Sequence, residues 1–177
     1  MSEPYRLENW QSGVGMACHA ERVRLLFTLS RTSAAATLAA TLLVVTWMWP
    51  AVEHGTLLIW LSPMLFNVGA LIWLQRRYLA RRPRVEETPR WERRFSVKAA
   101  LGGFLWGLAF WLFAPQAGEL VRLFVVLTLC TVCLGATAVL APSRAAYYAF
   151  MVPMVFSAAL FLLFGQPDGI AAAGWTV

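Results

Sequence analysis

Charged side chains are scarce in this chain of 177 residues. They make up 14% of the residues while apolar residues make up 59%, whereas soluble proteins hold about 25% charged residues. This composition excludes the ordinary soluble classes and indicates a membrane protein. The net charge of +6 would suggest nucleic acid as a partner of a soluble chain, but nine of the fifteen Lys and Arg residues lie within residues 76–98, between two apolar runs. We therefore interpret the basic charge as a sign of membrane topology and expect the lipid bilayer, not nucleic acid, as a partner.

Cysteines are also few, and they form no disulfide framework. Cys130 and Cys133 have the spacing of some metal and redox sites, but they lie in an apolar run with no histidine near them in sequence. A thiol in apolar surroundings is inert and packs as a small apolar side chain. Cys18 and His19 alone do not fill a zinc coordination shell. The sequence thus predicts no metal site and no cofactor.

Long apolar runs without an interior charge occur five times, at residues 32–52, 57–74, 99–118, 123–143 and 145–167. A transmembrane helix needs about 20 such residues to cross a bilayer. A further run opens at residue 169, and the chain ends at residue 177. The sequence therefore predicts an all-α, polytopic membrane helix bundle with five complete transmembrane helices and the start of a sixth. Residues 1–31 are the predicted leader, residues 32–177 the transmembrane domain, and residues 75–98 a basic loop within it.

Positive charges lie almost entirely on one side of this arrangement. Fourteen of the fifteen fall in the leader, in residues 76–98 or at Arg144. Because cytoplasmic flanks hold an excess of Lys and Arg, we expect a multi-pass protein of a bacterial inner membrane with its N-terminus in the cytoplasm. The loops on the other side are too short for a ligand-binding domain. Tryptophans near the outer helix ends, such as Trp47, Trp49 and Trp60, are expected at the lipid headgroup level.

The basic loop contains a second helix signal. Thr88 is a suitable N-cap, and Pro89 suits the first helical position. One interpretation is a short interfacial helix that places Trp91 and Phe95 in the membrane and its arginines toward anionic lipid. The other is a solvated loop that only fixes topology.

Candidate sites are limited to uncharged polar and small residues, because no ionisable side chain falls inside a predicted span. This absence disfavours a proton-coupled transporter or an intramembrane hydrolase, and the chain offers no catalytic residue. Two sets of candidates remain. Four polar side chains either line a small pocket or hold neighbouring helices together: Ser62, Asn67, Thr128 and Thr131. Three small residues at every fourth position predict a close-packing face, within the bundle or across a dimer: Ala99, Gly103 and Gly107.

Several short motifs resemble those of a known family. They are Arg22-Val23-Arg24-Leu25-Leu26, Trp91-Glu92-Arg93-Arg94-Phe95, Gly102-Gly103-Phe104-Leu105-Trp106-Gly107-Leu108, Leu123-Phe124, Gly135-Ala136, Ala141-Pro142 and Pro153. Over residues 21–177 the chain is similar to the N-terminal six-helix membrane sensor modules of bacterial signalling proteins. The resemblance implies an input function, usually within a homodimer. It also implies an output domain such as a diguanylate cyclase, with or without a phosphodiesterase, or a two-component sensor histidine kinase. No output-domain signature occurs in this chain, so the resemblance supplies no catalytic residue and leaves open whether the full protein is an enzyme.

Two other functions remain as alternatives to a sensor. One is a fragment of a small transporter or permease, for which Asn67 and the threonines of the fourth span would have to supply the substrate site. The other is a membrane scaffold subunit that binds partners through the Ala99, Gly103 and Gly107 face. A sensor with such short outer loops would need a membrane-borne or small apolar stimulus.

Overall fold

The computed structural model describes the backbone of residues 3–81, 83–113, 115 and 119–164, and the side chains of these residues except 3–13, 119 and 162. The described part consists of five α-helices and one short 3-10 helix: α1 Glu3–Met48, α2 His54–Arg81, the 3-10 helix Val85–Glu87, α3 Thr88–Phe113, α4 Glu119–Leu140 and α5 Arg144–Phe164. Each α-helix is long and apolar enough to cross a membrane. The predicted all-α bundle with five membrane-spanning helices is confirmed, and the predicted start of a sixth helix at residue 169 lies outside the described residues.

Prolines mark where four of these helices end. Pro50, Pro83, Pro115 and Pro142 each stand two residues after the last helical residue of α1, α2, α3 and α4. A proline disfavours helical backbone in the residue before it, so a helix commonly stops at such a point. The next helix in the chain then begins within a few residues, which folds α4 and α5, for example, into an antiparallel pair.

The helix α1 is much longer than the predicted first span. Its 46 residues correspond to about 69 Å at 1.5 Å per residue. The described part of the predicted leader is therefore helical and continuous with the span. The helix ends at Met48, four residues earlier than the sequence predicted.

The predicted basic loop, residues 75–98, is mostly helical. The helix α2 continues to Arg81, and α3 already begins at Thr88. Trp91 and Phe95 are both 3% exposed, and their rings contact the ring of Phe27 edge-on, at centroid distances of 6.3 and 5.3 Å. The interpretation that placed these two rings in the membrane is wrong, because the apolar side of the first turns of α3 packs on α1.

Two core clusters organise the bundle. We call the end with the α2–α3 connection and the α4–α5 turn the basic end, and the end with the α1–α2 turn the opposite end. The core at the basic end surrounds Phe27, which stacks on Tyr78 with 3.9 Å between ring centroids. Gln75 Nε2 donates a hydrogen bond of 3.0 Å to the Phe27 carbonyl. These contacts join α1 and α2, and the rings of Trp91 and Phe95 join α3 to them.

The core at the opposite end is aromatic. Trp60 is fully buried there, and its ring lies edge-on to Trp106 and Phe113, at 5.6 and 5.4 Å. Its Nε1 donates a hydrogen bond of 2.8 Å to the Leu105 carbonyl of α3. Trp60 is therefore covered by neighbouring helices and does not present its ring to lipid. Trp47 and Trp49 remain about half exposed, and the headgroup level of these tryptophans stays a prediction.

Candidate functional site

A cavity of about 330 Å³ lies between the two core clusters. The helices α1 and α4 form its sides, while α2 and α3 form its floor. The side walls contain small residues four positions apart: Thr32, Ala36 and Ala40 on α1, and Thr131 and Gly135 on α4. This spacing places them on one face of each helix. A Cβ atom added at Gly135 would meet nothing within 4 Å, so these small side chains leave the space between α1 and α4 unfilled.

Asn67 contributes the most deeply buried polar side chain of the cavity wall. It is 2% exposed, and its Oδ1 atom is buried without a hydrogen-bond partner. A buried acceptor without a partner costs about 1–3 kcal/mol. Gly102 provides the room for the amide, because a Cβ atom at that position would lie 2.9 Å from Asn67 Nδ2. The floor of the cavity therefore presents an acceptor that lacks a donor.

Lys98 supplies a positive charge to the same cavity. It precedes Gly102 by four residues on α3, which places it about 6 Å nearer the basic end along the helix axis. Its side chain is half-buried, and among the described residues no ion pair to it is found. The sequence prediction assigned Lys98 to a connecting loop. The structure has it inside α3, because that helix begins ten residues earlier than the loop was expected to end.

Hydroxyl groups of α1 and α4 complete the polar part of the wall. They belong to Thr32, Ser33, Thr37 and Thr131. Thr32 Oγ1 donates to the Leu29 carbonyl at 2.8 Å, and Thr131 Oγ1 donates to the Leu127 carbonyl at 2.9 Å. Their oxygen atoms remain able to accept a further hydrogen bond.

The structure brings together two of the four predicted pocket residues. Asn67 and Thr131 line the cavity, whereas Ser62 and Thr128 do not. Ser62 is exposed, and its hydroxyl lies 3.4 Å from the Ile59 carbonyl; the Thr128 hydroxyl donates to the Phe124 carbonyl at 2.8 Å. Sequence reasoning missed Lys98 and the hydroxyls of α1. The signal for the hydroxyls was the run of Thr and Ser at the start of the first apolar stretch.

The predicted close-packing face is occupied within the chain. The helix α5 packs on α3 more extensively than any other pair in the described part. A Cβ atom at Gly103 would clash with the carbonyl oxygen of Phe150, and one at Gly107 would lie 2.6 Å from Ser157 Cβ. Ala99, the third residue of the set, lines the cavity instead. The face is therefore not available to a second copy or to another partner.

A basic groove lies beside the cavity, on the outer side of α2 and α3. It measures about 540 Å³ and is lined by Ala70, Trp73, Leu74, Arg90, Arg93, Arg94, Val97 and Lys98. Lys98 thus borders both the groove and the cavity. The three arginines give this side of the bundle a positive potential next to the cavity.

Glu92 connects three helices at the basic end. Ser143 Oγ donates a hydrogen bond of 2.6 Å to Glu92 Oε1, and His19 Nε2 lies 3.2 Å from Glu92 Oε2 without forming a hydrogen bond to it. Ser143 also caps α5, since its Oγ accepts a hydrogen bond of 3.2 Å from the amide of Ala146. The start of α3 is therefore joined both to α1 and to the turn between α4 and α5.

The cysteines lie apart from the cavity wall. Cys130 is an exposed free thiol, and Cys133 is a half-buried one that packs against the core at the opposite end. Within the described ranges, no group of three or more His, Cys, Asp or Glu side chains is placed to hold a metal ion.

Comparison of the chain with protein-family models, with curated proteins and with solved structures gives no match. The resemblance to bacterial sensor modules therefore stays a prediction from the quoted motifs.

Proposed function

We propose that this chain is the membrane-embedded input domain of a bacterial signal-transduction protein and that it responds to a ligand from the lipid bilayer. In this proposal the chain lies in the inner membrane with its N-terminus in the cytoplasm. Its output domain, a cyclic-di-GMP enzyme or a sensor histidine kinase, is not part of this chain. The observation that carries the proposal is the cavity between α1 and α4, with a buried amide acceptor and a lysine on its floor.

The exposure of the cavity wall supports access from lipid. Thr32 and Ala36 on α1 and Thr131 and Gly135 on α4 are exposed, whereas Asn67 on the floor is buried. The cavity therefore opens sideways between α1 and α4. When the five helices span a membrane, this opening faces acyl chains, and a ligand dissolved in the bilayer can enter without crossing water.

The helices of the cavity wall also reach the basic end, which supports a role in transmission. The helix α1 lines the cavity with residues 32–40 and continues without a break to Glu3. The helix α3 lines it with residues 95–106 and carries Glu92, which contacts His19 and Ser143. A ligand that binds one arrangement of α1 and α3 more tightly than another shifts the equilibrium between them. The proposed cytoplasmic end of the bundle would register that shift.

A transporter is the second candidate function, and one observation favours it. Asn67 and the half-buried Lys98 lie in a cavity between helices, as the substrate sites of many transporters do. However, Trp60, Trp106 and Phe113 are at most 3% exposed and fill the bundle beyond the cavity. In the described part of the chain these rings separate the cavity from the opposite end. This packing supports a closed binding site rather than a transport pathway through the bundle.

The proposal is tested by measuring distances at both ends of the bundle. The native cysteines are replaced, and spin labels are attached at Arg22 and Tyr148, two exposed residues at the basic end. A control pair is placed at Leu58 and Leu120, two exposed residues near the opposite end. The chain is reconstituted in nanodiscs of neutral phosphatidylcholine or of total bacterial lipid, and pulsed electron resonance gives the label distances.

We expect the distance at the basic end to change by about 2 Å or more between the two lipids, while the control pair stays constant. Helix movements of about 1–2 Å are typical of switching proteins. An unchanged distance in both pairs, with intact helix content, overturns the sensor. Release of an entrapped labelled amphiphile from vesicles, dependent on Asn67, would instead establish the transporter.

A further inference from the structure

We infer that the cavity binds a single-chain amphiphile with an anionic head group and a hydrogen-bond donor close to that group. Lys98 pairs with the anion, Asn67 Oδ1 accepts the hydrogen bond, and the acyl chain extends toward Trp106. The signalling role of this ligand rests on the proposed function, whereas its binding does not. Carboxylate and phosphate head groups share this chemistry and are separated by the experiment below.

The charge around the cavity selects an anion. Residues 76–98 hold nine basic and three acidic side chains. Of the acidic ones, Glu92 is engaged by His19 and Ser143. The cavity receives the ammonium of Lys98, and three arginines line the groove on its other side. This arrangement attracts anions to the cavity mouth and repels cationic ligands.

Asn67 adds the requirement for a donor. Its Oδ1 is buried and without a partner among the described residues, and acceptors in such positions are normally satisfied by a donor. The side chain lies at the level of Gly102, one helical turn deeper than Lys98. A hydroxyl or amide N–H near the head group of the ligand would reach this acceptor while the anion stays at Lys98.

The dimensions of the cavity select one short chain. Eight residues of α3 separate Lys98 from Trp106, which corresponds to about 12 Å along the helix axis. The volume of about 330 Å³ is close to the lower limit of small-molecule pockets, about 300 Å³. One acyl chain of medium length fits this space. The two chains of an ordinary phospholipid do not.

Native mass spectrometry of the detergent-purified chain tests the inference directly. The probes are decanoate, beta-hydroxydecanoate, decanol, decyltrimethylammonium and a decanoyl lysophosphatidate. We expect both carboxylates to bind, with the hydroxylated one about fivefold tighter because it satisfies Asn67. Decanol and the cation should bind at least about tenfold more weakly than decanoate, since charge-assisted pairs are the strong ones. Tighter binding of the lysophosphatidate than of the carboxylates would identify a membrane lipid as the source of the anion.

Four variants assign the binding to the proposed atoms. Lys98→Gln should lower decanoate affinity about tenfold, whereas Lys98→Arg keeps it. Asn67→Leu should remove only the advantage of the hydroxyl group. Gly135→Leu, which places a side chain in open space at the cavity, should block all probes without loss of thermal stability. Arg144→Gln is the matched control: it removes an equal charge from an exposed position at the basic end that lines neither the cavity nor the groove, and it should change the affinity by less than about twofold.

The results separate this inference from the proposed function. Equal binding of decanol and decanoate, or unchanged binding in Lys98→Gln, overturns the ligand class. Bound decanoate with no change in the label distance at the basic end overturns the sensor and leaves the binding site intact. A change in label distance that persists in Lys98→Gln supports the sensor and overturns the ligand class.

Discussion

The α3–α5 pair and the α1–α4 pair both place glycine and alanine on their facing sides, yet the first pair is in close contact and the second borders a cavity. In the first pair, Gly103 and Gly107 let the backbone of α5 come into direct contact with α3. In the second, Gly135 faces open space, and the small residues around it border a cavity. Small residues allow close approach but do not cause it. What decides is whether the surrounding contacts bring the two helices together.

Those surrounding contacts differ between the two pairs. The α3–α5 pair is supported by a hydrogen bond of 3.1 Å from Trp111 Nε1 to the Ser157 carbonyl, and by ring contacts of Phe161 with Phe110 and Trp111 at 5.3 and 5.4 Å. Among the described residues, the α1–α4 pair has one stacked ring contact, between Trp47 and Phe124 at 4.9 Å. That stack lies near the opposite end, away from the cavity. The comparison thus predicts a rigid contact between α3 and α5, which we call the seam. It also predicts an adaptable space between α1 and α4, which we call the gap.

The largest expected effect is the difference in the free energy of unfolding between adding one methyl group at Gly103 and adding it at Gly135. Gly103→Ala should lower the free energy of unfolding by about 3 kcal/mol, because the added Cβ displaces the backbone of α5. Gly135→Ala should raise it by about 0.5–1 kcal/mol, because alanine favours the helix and the space is open. Unfolding of both variants in mixed micelles with increasing SDS gives the two values. Equal losses at the two positions would show that the seam and the gap do not differ.

A smaller effect is expected at Gly107, where the closest atom is a side-chain Cβ and the backbone oxygen of Met154 would lie 3.1 Å from the added Cβ. Gly107→Ala should cost about 1–2 kcal/mol, because its Cβ would lie 2.6 Å from Ser157 Cβ. Ser157→Gly removes that atom, so the double variant should be more stable than the sum of the two single changes allows. The free energy of unfolding is measured by denaturation for the unchanged protein, the two single variants and the double variant, which completes the double-mutant cycle. Strict additivity would mean that the two residues do not meet across the seam.

The smallest effect concerns Ser143 in the turn that joins the two pairs. Ser143→Ala removes the cap of α5 and the hydrogen bond to Glu92, and should cost about 1 kcal/mol. Ser143→Thr keeps the hydroxyl and serves as the control. Amide hydrogen exchange at Ala146 should become faster in the alanine variant alone. Unchanged exchange there would show that this hydroxyl does not fix the start of α5.

The number and type of the helices could be predicted, because a bilayer requires about 20 apolar residues from each one. Their ends could not. A helix may carry charges once it leaves the hydrocarbon region, so residues 75–81 and 88–98 appeared as a loop while the structure continues α2 and starts α3 there. For the same reason, the sequence prediction placed Lys98 in that loop and not in a helix that lines the cavity. Trp91 and Phe95 were misplaced because an amphipathic sequence does not reveal whether lipid or another helix covers its apolar side.

The candidate site could be predicted only in part, because helix rotation is not visible in the sequence. Asn67 and Ser62 are five residues apart on α2, which places them about 140° apart around the helix axis. Only one of them can face the cavity. Thr131 faces it and Thr128 does not, although both lie in the same apolar run. The contacts of the folded chain, and not the polarity of each residue, select the members of the site.

The unbroken course of α1 has a mechanical consequence. Phe27 is fully buried and stacked on Tyr78, so it can act as a fulcrum between two arms of unequal length. The arm from Phe27 to the cavity wall at Thr37 measures about 15 Å, and the arm from Phe27 to Glu3 about 36 Å. A tilt that moves Thr37 by about 1 Å therefore moves Glu3 by about 2.4 Å in the opposite direction. If a ligand displaces the cavity wall as proposed, the first helix would both invert and amplify that displacement.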